Sequence, residues 1–96
     1  MTTIHIKTPY PEQAIPLVKE AIELEKKLVR GSLATTNERI AALAQELRVD
    51  EHAVLAGTVP RTEANEMALL ELEGELAIRT SLEDALRSLD SLELCS

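Results

Sequence analysis

The chain has 96 residues, with 17 acidic and 10 basic side chains and a net charge of −7 at pH 7. This length corresponds to one domain. The 45% apolar content is too high for a disordered chain. A single cysteine excludes an internal disulfide and a cysteine-based zinc site. No apolar run approaches the ~20 residues of a membrane span and the N-terminus does not resemble a secretory signal, so we expect a cytoplasmic protein.

One strand is predicted at the start of the chain. Residues 2–8 alternate polar and apolar side chains, are rich in β-branched residues, and are followed by Pro9 and Pro11. No second segment of this kind stands out. A lone strand leaves its edges open unless it pairs with another copy or with a partner protein.

The rest of the chain is predicted to be helical, because leucine (16 residues) and alanine (12 residues) supply most of the apolar mass while tyrosine is the only aromatic residue. Pro11 or Pro16 fits the first turn of the first helix, and Gly31 followed by Ser32 indicates where it ends or bends. The predicted helices span 12–30, 36–47, 50–56, 62–79 and 81–93.

Capping signals set several of these boundaries. Thr35 with Glu38, and Thr80 with Glu83, have the spacing of a capping box. Asp50 is the candidate N-cap of the short third helix, and Gly57 fits its C-terminal stop.

The first predicted helix has an apolar stripe at a 4-3-4 spacing, typical of a core-facing surface. The stripe consists of Leu17, Ala21, Leu24 and Leu28. Three further residues widen it: Val18, Ile22 and Val29.

The fourth predicted helix is apolar on two sides, which indicates that it packs against two neighbours. One side carries Leu69, Leu72 and Leu76, and the other carries Leu70, Gly74, Ala77 and Ile78. The sequence therefore predicts a single all-α domain over 1–96, with four to five helices and one short N-terminal strand. Because the core is thin and aliphatic, we also expect a homo-oligomer, most simply a dimer.

The negative charge belongs to the second half of the chain. Residues 1–48 hold 7 basic and 6 acidic side chains, whereas residues 49–96 hold 3 basic and 11 acidic ones. No carboxylate of the fourth helix is followed by a histidine at the spacing of a di-metal site. The other candidate metal ligands are too far apart in the sequence for a metal-binding motif; they are His5, His52 and Cys95. We expect an acidic, solvated face with no catalytic residue, no metal site and no cofactor.

Residues 40–57 resemble a helix-turn-helix, the DNA-binding motif of many transcriptional regulators. Ala44 lies where two helices cross closely, although Arg48 replaces the usual turn glycine. The second helix begins with Asp50 and Glu51, which would repel phosphates, whereas DNA-binding proteins rely on lysine and arginine. The residues that would contact nucleic acid are Arg39, Arg48, His52 and Arg61.

A strand followed by helices also resembles the ribbon-helix-helix repressors, which pair strands across a dimer and read bases with strand side chains. His5 and Lys7 would serve that role here. The long first helix and the whole second half have no counterpart in that fold.

Residues 33–90 resemble short acidic helical proteins of prokaryotic two-gene modules that are regarded as antitoxins. The resemblance is carried by residues 33–43, by the short helix after Val49 and by the acidic residues 71–76. It implies that this chain is the neutralising partner of a small basic toxin.

The sequence thus predicts a non-catalytic, antitoxin-like protein whose acidic second half binds a basic protein partner. The alternatives are a small DNA-binding regulator, or a structural homo-oligomer; no membrane interaction is expected. The predicted partner contacts are Glu66, Glu71, Glu73, Glu75, Leu69, Leu72 and Leu76.

Overall fold

A computed structural model describes residues 2–95, without the side chain of Cys95. The elements are β1 (Thr2–His5), α1 (Pro11–Leu47), α2 (Glu51–Leu55), α3 (Glu66–Asp90) and β2 (Leu92–Cys95). The prediction of a mostly helical chain with a short N-terminal strand is confirmed. The predicted number of four to five helices is wrong, because the described residues form three.

The chain divides into two compact units. Unit 1 contains the described residues up to Ser32 and those from Leu82 onward, and unit 2 is Leu33–Ser81. Both α1 and α3 contribute residues to each unit.

The first and second predicted helices are a single helix, α1, so the predicted break at Gly31 is wrong. A glycine in a helix interior costs only about 1 kcal/mol, which a 37-residue helix tolerates. Thr35 and Glu38 lie inside α1 and do not cap a helix, because the chain before them is already helical. Pro11 opens the helix as predicted, whereas Pro16 lies within it.

The fourth and fifth predicted helices are likewise one helix, α3. Thr80, predicted to start a new helix, instead donates its hydroxyl to the Leu76 carbonyl at 3.2 Å, a bond made within an unbroken helix. The cap lies earlier in the chain. The Thr62 amide donates to Asn65 Oδ1 at 2.8 Å and the Asn65 amide donates to Thr62 Oγ1 at 3.2 Å, a reciprocal pair that caps the turn at 63–65. The predicted start at 62 coincides with this turn, and α3 itself begins at Glu66.

The N-terminal strand has a partner in the same chain. β1 pairs in parallel with β2, with Thr2 opposite Leu92 and Ile4 opposite Leu94. The expectation of a lone strand is therefore wrong, and the predicted helix to residue 93 ends at Asp90. Parallel strands need a long connection, which the helical residues between them provide. Lys7 lies outside β1.

Unit 2 holds the main core, which consists of aliphatic side chains from α1, α2 and α3. Ile40 and Leu72 are the largest fully buried side chains. The remaining buried members are Leu43, Val54, Leu69 and Leu76, with Leu47, Val49 and Val59 packed against them. Ile40 and Leu43 therefore form the buried side of the C-terminal part of α1.

Unit 1 reverses the predicted orientation of α1. Leu17, Leu24 and Leu28 are 64%, 58% and 58% exposed, whereas Val29 is buried and Val18 and Ile22 are half-buried. The leucine stripe expected in the core therefore faces solvent. The physical reason is that within unit 1 this part of α1 has the end of α3 and two four-residue strands as neighbours, which leave one of its two apolar faces uncovered.

The helices α1 and α2 end in the same hydrogen-bonded motif. After α1, the Val49 amide donates to the Ala44 carbonyl at 3.0 Å and the Arg48 amide to the Gln45 carbonyl at 3.2 Å. After α2, the Thr58 amide donates to the Ala53 carbonyl at 3.0 Å, with Gly57 as the predicted stop. This motif requires a left-handed residue, normally glycine. The second turn has Gly57 (φ +71°), whereas the first has Arg48 (φ +56°).

We predict opposite effects of substitutions at these two turns. Arg48→Gly should raise the free energy of unfolding by about 0.5–1 kcal/mol, and Gly57→Ala should lower it by about 1–2 kcal/mol, because a side chain disfavours the left-handed conformation. Urea denaturation of each variant measures both effects. Gly31→Ala, the same change at a right-handed helical position, should instead stabilise the protein. A stabilising Gly57→Ala would contradict the turn geometry.

Candidate functional site

The exposed side of α3 within unit 2 is the candidate functional surface. Met67, Leu70 and Ile78 are 78%, 51% and 47% exposed, although each is an apolar residue of the kind that proteins usually bury. They follow one another at helical spacing, so they form one stripe. We call this surface the α3 outer face; its members are Glu66, Met67, Leu70, Glu71, Gly74, Ala77 and Ile78.

The opposite side of α3 carries three of the predicted partner contacts. Leu69, Leu72 and Leu76 are at most 3% exposed and lie in the unit 2 core with Ile40 and Val54. The two-sided character of this helix was predictable from spacing, but which side a partner could reach was not. Only the side that carries Leu70 and Ile78 is accessible in the folded chain.

Two of the four predicted acidic contacts lie in ion pairs. Glu75 is largely buried, with its side chain 12% exposed, and its Oε1 lies 3.5 Å from Arg39 Nη1. Its Oε2 is buried without a hydrogen-bond partner among the described residues. Glu73 accepts a hydrogen bond from Arg61. These two carboxylates therefore attach α1 and the loop before α3 to α3 itself.

The other two predicted acidic contacts remain open to solvent. Glu66 and Glu71 are exposed, and neither forms an ion pair with any residue that the structure describes. Glu66 lies in the first turn of α3, where the helix dipole favours a negative charge. The α3 outer face therefore combines a negative charge with exposed apolar side chains.

Gly74 lies in the middle of the same face. A Cβ built on it would meet no atom within 4 Å, so packing within the chain does not require glycine here. Since glycine lowers the stability of a helix interior, the internal structure offers no reason for it. A bare backbone on an exposed stripe does allow a second helix to approach closely.

The basic residues predicted to contact nucleic acid differ in their surroundings. Arg39 and Arg61 lie in the ion pairs with Glu75 and Glu73. Arg48 and His52 are exposed. Two of the three arginines in the predicted nucleic-acid set are therefore paired with carboxylates, and the third is not paired with any carboxylate that the structure describes.

The start of α2 is acidic in the structure as in the sequence. Asp50 Oδ1 accepts a hydrogen bond from the His52 amide at 3.0 Å, which confirms Asp50 as the N-cap. Glu51 Oε1 lies 2.8 Å from Arg79 Nη2. A helix of five residues that begins with two carboxylates presents little positive charge to a phosphate backbone.

Unit 1 contains a second feature that sequence reasoning missed, a groove of about 490 Å³ beside Lys26. Lys26 Nζ lies 3.2 Å from Glu23 Oε1 and 3.3 Å from Asp90 Oδ1. The hydrogen bond to Glu23, assisted by Asp90, raises the pKa of Lys26 above its usual 10.5. The i,i+3 spacing of Glu23 and Lys26 was visible in the sequence, but their meeting with Asp90 required the fold.

The described residues contain no group of three or more His, Cys, Asp or Glu side chains placed to hold a metal ion. None of the helices formed by residues 2–95 combines the length and apolar character needed to cross a membrane. The thiol of Cys95 is outside the described side chains, although the backbone of Cys95 belongs to β2.

Comparison of the chain with protein-family models, with curated proteins and with solved structures gave no match.

The Lys26 cluster predicts a pH dependence. Folding favours the ammonium form of Lys26, so its stabilising contribution is complete below pH 10.5 and is lost as the pH rises through the raised folded pKa. Lys26→Met lacks this contribution. The difference in unfolding free energy between wild type and Lys26→Met should be constant from about pH 7 to 10.5 and should shrink at higher pH, as measured by urea denaturation. Identical pH dependence of the two proteins would contradict this role.

Proposed function

We propose that this chain is a non-catalytic, antitoxin-like protein that binds a basic protein partner through the α3 outer face. The observation that carries the proposal is the exposure of Met67, Leu70 and Ile78 next to Glu66 and Glu71. Monomeric soluble proteins seldom leave contiguous apolar patches exposed unless the patch binds something.

The two kinds of side chain on this face would have different tasks. The apolar stripe supplies affinity, because removing its side chains from water is favourable by roughly 25 cal/mol per Å². The carboxylates Glu66 and Glu71 supply speed and selectivity, since complementary charge steers encounter and rejects partners of the same sign. A partner with a basic, apolar groove fits both requirements.

The helix that presents this face is held rigidly from behind. Leu69, Leu72 and Leu76 fix α3 in the unit 2 core, and Arg39 and Arg61 hold it through Glu75 and Glu73. A surface whose backbone is already ordered loses less conformational entropy on binding. The core leucines therefore support the proposed surface without belonging to it.

The charge of the surroundings supports the same class of partner. Residues 49–96 carry 11 acidic and 3 basic side chains. Arg61 and Arg79 both lie in ion pairs within unit 2. The acidic excess thus remains on residues such as Glu63, Glu66 and Glu71, which attract a basic protein over roughly 10 Å at moderate ionic strength.

Reversing charge on the outer face should abolish partner binding without unfolding the protein. Glu66→Lys combined with Glu71→Lys changes two exposed side chains that form no described ion pair, so the circular dichroism spectrum should be unchanged. A tagged wild-type chain should retain a stoichiometric basic protein from the native lysate, sized by light scattering, and the double variant should lose it. Glu38→Lys with Glu46→Lys makes the same charge change on exposed residues of α1 and should retain the partner.

Two results would contradict the proposal. One is equal capture by the Glu66→Lys and Glu71→Lys double variant and by wild type. The other is absence of a protein partner together with retention on bulk DNA that weakens steeply with salt, which would favour the helix-turn-helix alternative.

Gly74 gives a second test that depends on shape rather than charge. Gly74→Ala should raise the free energy of unfolding by about 0.5–1 kcal/mol, because no atom occupies the space of the new methyl group. Gly74→Leu should block close approach and reduce partner capture at least tenfold in a titration. Gly31→Leu, at an equally open helical glycine of unit 1, should leave capture unchanged. Full capture by Gly74→Leu would contradict close approach at this position.

A further inference from the structure

The N-terminal part of α1 has a second exposed apolar stripe, separate from the α3 outer face. Leu17, Leu24 and Leu28 are 64%, 58% and 58% exposed, and Ala21, which is also exposed, lies between the first two. We call these four residues the α1 stripe. Its leucines are among the largest exposed hydrophobic residues of the described chain.

The α1 stripe forms a narrow seam along one side of the helix. Its members follow one another by four, three and four residues, an average of about 3.7, close to the 3.6 residues of a helical turn, so the four side chains share one face. The inward residues of the same helix are Val18, Ile22 and Val29, so the seam is additional to the face used inside unit 1.

The stripe is also compatible with twofold symmetry. If a second α1 runs antiparallel about a point between residues 22 and 23, Leu17 meets the partner's Leu28. Ala21 then meets the partner's Leu24, so that a small side chain faces a large one in the two central layers. Each contact occurs twice, as an isologous interface requires.

Charged residues beside the stripe select the antiparallel orientation. Glu20 and Lys27 are both exposed and flank the seam on the same side, seven residues apart. An antiparallel pair places Glu20 beside the partner's Lys27 in two symmetric ion pairs. A parallel pair would place Glu20 beside the partner's Glu25, which is a repulsive contact at the corresponding flanking position.

From this stripe and its flanking charges we propose that the chain forms an antiparallel homodimer through α1, with a second copy of the chain covering Leu17, Ala21, Leu24 and Leu28. This interface does not involve the α3 outer face and does not rest on the proposed function. The α1 stripe lies in unit 1 and the α3 outer face lies in unit 2.

The mass of the purified chain in solution tests the interface. Light scattering should give about twice the 10.6 kDa mass of one chain, and Leu24→Asp should reduce it to that of one chain. Leu70→Asp places the same charge on a similarly exposed leucine of α3 and should remain dimeric. Circular dichroism confirms that both variants are folded. A monomeric wild type, or a Leu24→Asp variant that stays dimeric at micromolar concentration, would overturn the proposal.

Cross-linking tests the orientation. In a Cys95→Ser background, Ala21→Cys and Leu24→Cys should each fail to form disulfide-linked dimers alone and should form them when the two variants are mixed. Links within each variant alone would show a parallel pair and overturn the antiparallel assignment. No links in either experiment would overturn the interface itself.

The flanking charges give an independent readout of orientation. Glu20→Lys should weaken dimerisation at least tenfold in a dilution series, and adding Lys27→Glu to it should restore the wild-type association, because the exchanged charges again attract. A Glu20→Lys variant that associates more tightly than wild type would indicate the parallel orientation and contradict the proposal.

Discussion

Each long helix has two apolar faces, and in the described parts of the chain only one of the two is covered by other residues. In unit 2 the buried face of α3, with Leu69, Leu72 and Leu76, packs on Ile40 and Leu43 of α1. Each such side chain contributes roughly 1.5–3 kcal/mol when fully buried. With no tryptophan or phenylalanine in the chain, these few aliphatic contacts carry most of the stability, and the opposite faces remain free to bind.

The ion pairs reinforce this division into an inner and an outer side. Arg39, Arg61 and Arg79 reach carboxylates within unit 2, which leaves the exposed face of α3 with negative charge that no arginine balances. The same contacts pair Arg39 and Arg61, two of the four residues predicted to contact nucleic acid, with carboxylates. The other two, Arg48 and His52, remain exposed.

Capping and helix-stop residues predicted the structure correctly where the conformation depends only on neighbouring residues. Asp50 caps α2 and Gly57 ends it because capping depends on residues two or three positions apart. The same reasoning failed at Thr35 and Thr80, which have capping-box spacing yet lie within continuous helices. An N-cap residue starts a helix only where the residues before it are not helical. The residues before Thr35, including Gly31, and those before Thr80 are already helical.

Composition, charge and residue spacing are enough to predict a helical chain with an acidic second half and a helix, α3, that is apolar on two sides. These properties do not depend on contacts between residues that are distant in sequence. Three other properties required the folded chain: which face of each helix is buried, the pairing of β1 with β2, and the division of the carboxylates into paired (Glu73 and Glu75) and open (Glu66 and Glu71) ones. They could not be predicted because a helix with two apolar faces buries whichever face its neighbours cover, and those neighbours are distant in sequence.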